Sequence, residues 1–135
     1  MAPVSPPDAS LLQAEGAVDE EKLNELAQYL PISGVIDLVT LFTTESHGHA
    51  MRIKNYMAEK NHAAIAREAH NLVSTAGNIG AMQLSATARI VEHACKNGQL
   101  DDALLDELNR GIIAANAGFA AWIAAHRPPP QKLAG

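Results

Sequence analysis

The chain has few of the residues that build sheets, disulfides or nucleic-acid surfaces. Aromatic residues make up 4% of its 135 positions, and no proline lies between residues 32 and 127, which disfavours an all-β fold with frequent turns. The single cysteine, Cys95, excludes an internal disulfide and a cysteine-based zinc site. The formal net charge of −5 argues against nucleic acid as the main partner, since phosphate binding needs clustered Lys and Arg.

Long apolar runs are also missing. The sequence contains no run of about 18 apolar residues, so no membrane span is expected. Its N-terminus has no basic flank followed by an apolar stretch, so no signal peptide is expected. The cytoplasm is therefore the expected compartment, with no membrane partner.

What the chain has instead is helical periodicity, with 47% hydrophobic residues rich in Ala and Leu. Apolar residues at steps of three and four predict five helices: from Asp19 to Pro31, from Ser33 to about Glu59, from Asn61 to about Ala76, across Leu84 to Ala94, and from about Asp101 to His126. This pattern predicts an all-α fold, an antiparallel up-down four-helix bundle with an additional N-terminal helix across one end.

The ends of the chain have a different composition. Residues 1–17, rich in Pro, Ala and Ser, predict a flexible or loosely docked N-terminal arm, and residues 128–135 follow a Pro triplet and predict a C-terminal tail. The bundle domain is expected over residues 18–127. Within it, the segment 77–80 (Gly-Asn-Ile-Gly) predicts a tight reversal, with Ile79 closing the end of the core.

Six histidines are the candidate reactive side chains: His47, His49, His62, His70, His93 and His126. Their spacings do not match a zinc helix, so no metal site is expected. For all except His70, a position on a solvated helix surface is the expectation.

His70 differs because the periodicity places it opposite the inward stripe of the third helix. At ~100° per residue it falls about 140° from Ile65 and about 160° from Leu72, so it is expected to point toward water. Its face carries mostly small residues, which leave the imidazole accessible: Ala63, Ala66, Arg67, Val73, Ser74 and Gly77. On spacing alone, two hypotheses remain: an exposed histidine without function, or a nucleophile that a partner protein reaches.

The segment from Ala69 to Ala81 resembles the signature of histidine-containing phosphotransfer (HPt) domains. That signature places Ala before the His, Leu two residues after it, and a Gly-Ala pair ten residues after it, here Gly80 and Ala81. The downstream Leu84 and the pair Val91-Glu92 are similar to the family's next helix. The resemblance covers residues 19–126.

The resemblance implies that His70 takes a phosphoryl group from the aspartate of one response-regulator receiver and gives it to another receiver in a two-component phosphorelay. Receivers, and a hybrid histidine kinase, are the implied partners of a monomeric chain. It also implies that Mg²⁺ belongs to the receiver, so this chain is expected to bind no cofactor. With no P-loop and no Gly-rich kinase loop, the chain is expected to carry phosphate without being an independent kinase.

Two positions depart from the family pattern. The family has Lys three residues after the His and Gly four after, where this chain has Val73 and Ser74. Arg67, one turn before His70, is the nearest cation in the helix and a candidate substitute. Two hydrogen-bonding roles remain open for the Ser74 hydroxyl. It bonds either a phosphoryl oxygen or the His70 ring, or else it bonds the backbone carbonyl of His70.

Two other functions remain open. One is a non-catalytic helical adaptor that binds a receiver or kinase without carrying phosphate, which the loss of the lysine at Val73 keeps open. The other is the dimerising histidine helix pair of a sensor kinase. It is disfavoured because five helices and the turn at 77–80 complete a bundle within one chain.

Overall fold

The computed structural model describes residues 16–126, and all regular structure in that range is helical. Its helices are α1 Glu20–Tyr29, α2 Ile32–Ala58, α3 His62–Ile79, α4 Met82–Lys96 and α5 Asp102–His126. The predicted all-α class is confirmed. None of these helices is both long enough and apolar enough to cross a membrane.

The structure describes only the end of the predicted arm and none of the predicted tail. Residues 1–15 of the arm and the whole tail, residues 128–135, lie outside the described residues. The end of the predicted arm is packed, because Ala17 is only 2% exposed. The bundle therefore begins before residue 18.

Side-chain caps begin the helices close to where the sequence predicts. The Asp19 carboxylate accepts hydrogen bonds from the backbone N–H groups of Glu21 and Lys22, and the Asn61 side chain accepts one from Ala64 at 3.2 Å. Both satisfy donors that the first turn of a helix leaves unpaired.

The end of α3 differs from the prediction. The helix continues through Gly77 and Asn78 to Ile79, three residues beyond the expected end, and Gly80 stops it with φ 93°. One left-handed residue is enough for this turn, so Gly77 and Asn78 stay helical. Ile79 is 7% exposed and closes the core end as predicted.

The four longer helices pack with the predicted apolar stripes inward. Contacts join α2 to α3, α3 to α4, α4 to α5 and α2 to α5, and the short connections make successive helices antiparallel. At the centre, the rings of Phe42 and Phe119 meet edge to face at 5.4 Å, and Leu72 and Trp122 are at most 1% exposed. Each such side chain stabilises the fold by roughly 1.5–3 kcal/mol.

Helix α1 lies across the end of the bundle where α2 and α4 begin. The backbone N–H of Asp19 donates to the Gly80 carbonyl at 2.7 Å, Leu23 is fully buried, and Trp122 Nε1 donates to Asn24 Oδ1 at 3.2 Å. The predicted end-capping helix is therefore attached to the α3–α4 turn.

Gly80 is required both by its backbone angle and by this close approach. A Cβ there would lie 3.1 Å from the Asp19 carbonyl oxygen and 3.2 Å from Lys22 Cβ, whereas a Cβ at Gly98, also at positive φ, would meet nothing within 4 Å. We predict that Gly80→Ala lowers the free energy of unfolding by about 2–3 kcal/mol and Gly98→Ala by about 1 kcal/mol. Urea unfolding followed by circular dichroism measures both, and equal losses would contradict the packing of α1 on the turn.

Candidate functional site

His70 lies on the outer face of α3. Its side chain is 66% exposed, so the expectation that it points toward water is confirmed. The buried neighbours Ala69 and Leu72 hold the opposite face of the helix in the core. The imidazole is thus fixed to a rigid helix yet open to a partner.

A carboxylate from the neighbouring helix holds the ring. Glu92 of α4 has Oε2 3.0 Å from His70 Nδ1, and its side chain is only 14% exposed. Burial raises the pKa of Glu92, but hydrogen bonds from Lys96 and His70 outweigh it and keep that pKa below its ordinary value. Glu92 is therefore ionised at neutral pH.

The charge on Glu92 determines which ring nitrogen carries the proton. An ionised carboxylate only accepts hydrogen bonds, so Nδ1 of His70 is the donor in this pair. In the neutral ring the other nitrogen, Nε2, then keeps its lone pair. The arrangement leaves Nε2 unprotonated on a largely exposed ring.

Lys96 completes a triad that the sequence analysis did not predict. Its Nζ lies 3.2 Å from the same Glu92 oxygen that binds His70. Because both donors share one oxygen, the ammonium lies within about 6 Å of His70 Nδ1. The side chain of Lys96 is 61% exposed and extends from the last turn of α4.

A shallow cavity of about 270 Å³ surrounds this group. It is lined by Ala66, Arg67, His70, Asn71, Glu92 and Lys96. Within residues 16–126, no cluster of three or more His, Cys, Asp or Glu side chains has the arrangement of a metal site.

The other site residues predicted from the sequence divide into two groups. Ala63, Arg67 and Ser74 are exposed beside His70. Ala66, Val73 and Gly77 are only half-exposed, and the first two pack against the core.

The half-exposed residues lie on the α4 side of the predicted face, where α3 and α4 pack together. Ser85 Oγ of α4 donates to the Val73 carbonyl at 2.8 Å, and a Cβ on Gly77 would lie 3.4 Å from the same hydroxyl oxygen. The accessible face is therefore narrower than the sequence predicts, because part of it forms the helix contact.

The expectation that His49 is a surface residue is wrong. His49 is 9% exposed and its Nδ1 contacts Glu68 Oε2 of α3, while Arg52 Nε donates to Glu68 Oε1 at 2.6 Å. His49 lies three residues after Ser46 and four before Ile53, both buried, so its helical spacing was a signal for burial. This cluster joins α2 to α3 two residues before His70.

Glu68 makes the stability of the fold depend on pH. Burial raises the pKa of Glu68, but hydrogen bonds from Arg52 and His49 outweigh it, so the pKa lies below its ordinary value of 4.5. A carboxyl with a lowered folded-state pKa stabilises the fold fully above its unfolded-state pKa. That stabilisation is lost as the pH falls through the folded-state value.

We predict that Glu68→Gln lowers the free energy of unfolding by about 1–2 kcal/mol at pH 7. The difference from the unsubstituted chain should shrink as the pH falls below 4.5, because the native carboxylate is then protonated. Urea titrations between pH 7 and pH 3 measure it, and a difference independent of pH would contradict the role given to the Glu68 charge.

Comparison with known proteins identifies the family. Residues 37–118 match the sequence model of the Hpt domain, a range that contains His70, Glu92 and Lys96. The chain belongs to the Hpt domain family. Membership supports histidine phosphotransfer in two-component signalling as its class of function.

The fold matches a solved structure of a similar protein. The crystal structure of histidine-containing phosphotransfer protein B (HptB) from Pseudomonas aeruginosa PAO1 aligns with a TM-score of 0.76, over 82% of this chain and 97% of that chain. The sequence identity is 18%, so this likeness establishes the bundle fold alone. No curated protein matches the chain significantly.

Proposed function

We propose that His70 accepts a phosphoryl group from the phosphoaspartate of one response-regulator receiver and passes it to the aspartate of another. The observation that carries this proposal is the bond from His70 Nδ1 to the ionised Glu92. It holds the exposed ring with Nε2 free to attack, which a histidine without function does not need.

The phosphoryl transfer needs only the two proteins and the receiver's metal. The lone pair of Nε2 forms a bond to phosphorus as the bond from phosphorus to the aspartate oxygen breaks, and the aspartate leaves as a carboxylate. The proton on Nδ1 stays in place, so the ring becomes positively charged. Glu92, already bound to Nδ1, offsets that charge in the transition state, and the reverse step delivers the group to the second aspartate.

This chain supplies a nucleophile and its orientation, and the receiver supplies the rest. Phosphoryl transfer relies on positioning and charge neutralisation, and we expect Mg²⁺ in the acidic pocket of the receiver. We expect the receiver to dock on the exposed residues Ala63, Arg67 and Ser74, with Ala66, Val73 and Gly77 along the α4 edge of the contact.

A non-catalytic adaptor is the second candidate. The observation that favours it is Val73, a half-buried apolar residue where the family has a lysine. An adaptor would bind the same receiver surface without forming a bond from nitrogen to phosphorus.

The direct test is incubation with a phosphorylated receiver, followed by detection of acid-labile, alkali-stable phosphate on this chain. We predict that His70→Gln abolishes labelling and changes the free energy of unfolding by less than about 0.5 kcal/mol, because the side chain is outside the core. His62→Gln and His93→Gln, at exposed positions, are the matched controls and should label normally.

Other results would favour the alternatives. Label that persists in His70→Gln would contradict the choice of nucleophile. An unsubstituted chain that binds the receiver but takes no label would favour the adaptor.

Docking is tested at Ser74, which lies one turn beyond His70 on the exposed side. A receiver aspartate must approach the ring closely, so we predict that Ser74→Gln slows transfer about tenfold, on the order of 1.4 kcal/mol. Ala117→Gln, at another exposed site, on α5, is the control for added bulk. Transfer rates against receiver concentration measure both, and equal rates in the two variants would show that the partner approaches another face.

A further inference from the structure

The helix that carries His70 has one cation near the ring, Arg67, which lines the same cavity. Val73 is half-exposed and packs against the core, so the turn after His70 presents no charge to a phosphoryl group. Arg67 lies in the turn before His70, and within residues 16–126 no carboxylate forms an ion pair with it. Nothing on α3 therefore holds a cation in place beside the ring.

The neighbouring helix does hold one. Lys96 is bound to Glu92 Oε2, the atom that also binds His70 Nδ1. The shared oxygen keeps the ammonium within about 6 Å of the ring, and the four-carbon stem lets it turn toward a new anion.

We propose that Lys96 of α4 is the cation that stabilises the phosphoryl group on His70, in the place of the lysine that α3 lacks at Val73. This inference rests on the proposed function. Before transfer, the charges of Glu92 and Lys96 cancel beside a neutral ring. A dianionic phosphoryl group on a positively charged ring leaves an excess negative charge, which attracts the ammonium.

The test measures how long the phosphoryl group stays on His70. Potassium phosphoramidate phosphorylates the full chain without a receiver, and ³¹P NMR in mildly alkaline buffer follows the decay of the phosphohistidine resonance. In the loose transition state of hydrolysis the phosphoryl group has less negative charge than in the intact dianion, so a cation beside it slows hydrolysis. Lys96→Gln should shorten the lifetime roughly threefold to fivefold, as for one partly exposed charge pair, and less at high salt.

Three variants separate this role from a structural one. Lys96→Arg keeps the charge and should behave like the unsubstituted chain. Arg110→Gln removes an exposed cation of α5 that does not line the cavity around His70, and it should leave the lifetime unchanged. Val73→Lys, added to Lys96→Gln, should restore it, because it returns a positive charge to the turn after His70.

The outcomes distinguish the inference from the function on which it rests. His70→Gln assigns the resonance, and a chain with no resonance dependent on His70 would overturn the proposed function and this inference together. A resonance that decays at the same rate in Lys96→Gln as in the unsubstituted chain would overturn this inference alone. An equal shortening in Arg110→Gln, or no restoration by Val73→Lys, would likewise overturn this inference, because the loss would then not depend on charge beside the ring.

Discussion

The site depends on one carboxylate shared between two helices. Glu92 is largely buried, ionised, and bound through one oxygen to His70 of α3 and Lys96 of α4. Its charge fixes the proton on Nδ1, and its position places an ammonium beside the ring. Without Glu92, nothing would fix the tautomer of the exposed His70 ring. Lys96 would also lose the ion pair that holds its ammonium group near that ring.

The packing of α3 on α4 brings these residues to the same level. His70 lies nine residues before the end of α3 and Glu92 ten residues after the start of α4, each about 14–15 Å along the helix from the turn. The left-handed Gly80 makes that turn short, and the bond from Ser85 to the Val73 carbonyl fixes how closely the helices approach. The same turn receives α1, so the element that closes the core also sets the register of the site.

The helices and the exposure of His70 are predictable because they depend on local periodicity and capping. The stripe through Ile65, Ala69 and Leu72 is enough to place His70 on the outer face. The continuation of α3 to Ile79 was not predicted, because Gly and Asn favour a turn without requiring one. The end of α3 at Gly80 depends on contacts with α1, whose residues are distant in the sequence.

The side-chain partners were harder to predict for the same reason. Glu92 is 22 residues from His70. Its role depends on which residues of α3 and α4 lie side by side, and helical periodicity does not determine that. Its spacing to Lys96, one helical turn, is visible in the sequence, and so is its similarity to the family pattern, but its contact with His70 is not. His49 is different, since its spacing among buried residues indicated the core. Its partner Glu68 supplies the hydrogen bond that a buried polar ring needs.

The central claim, that Glu92 sets the tautomer of His70 and leaves Nε2 as the nucleophile, is tested most directly by ¹⁵N NMR of the histidine side chains near neutral pH. Long-range ¹H–¹⁵N spectra of the unphosphorylated chain assign the proton in the neutral ring. The account predicts that His70 carries it on Nδ1, and that Glu92→Gln gives a mixture of tautomers. A neutral His70 protonated mainly on Nε2, or the same spectrum in Glu92→Gln, would contradict it.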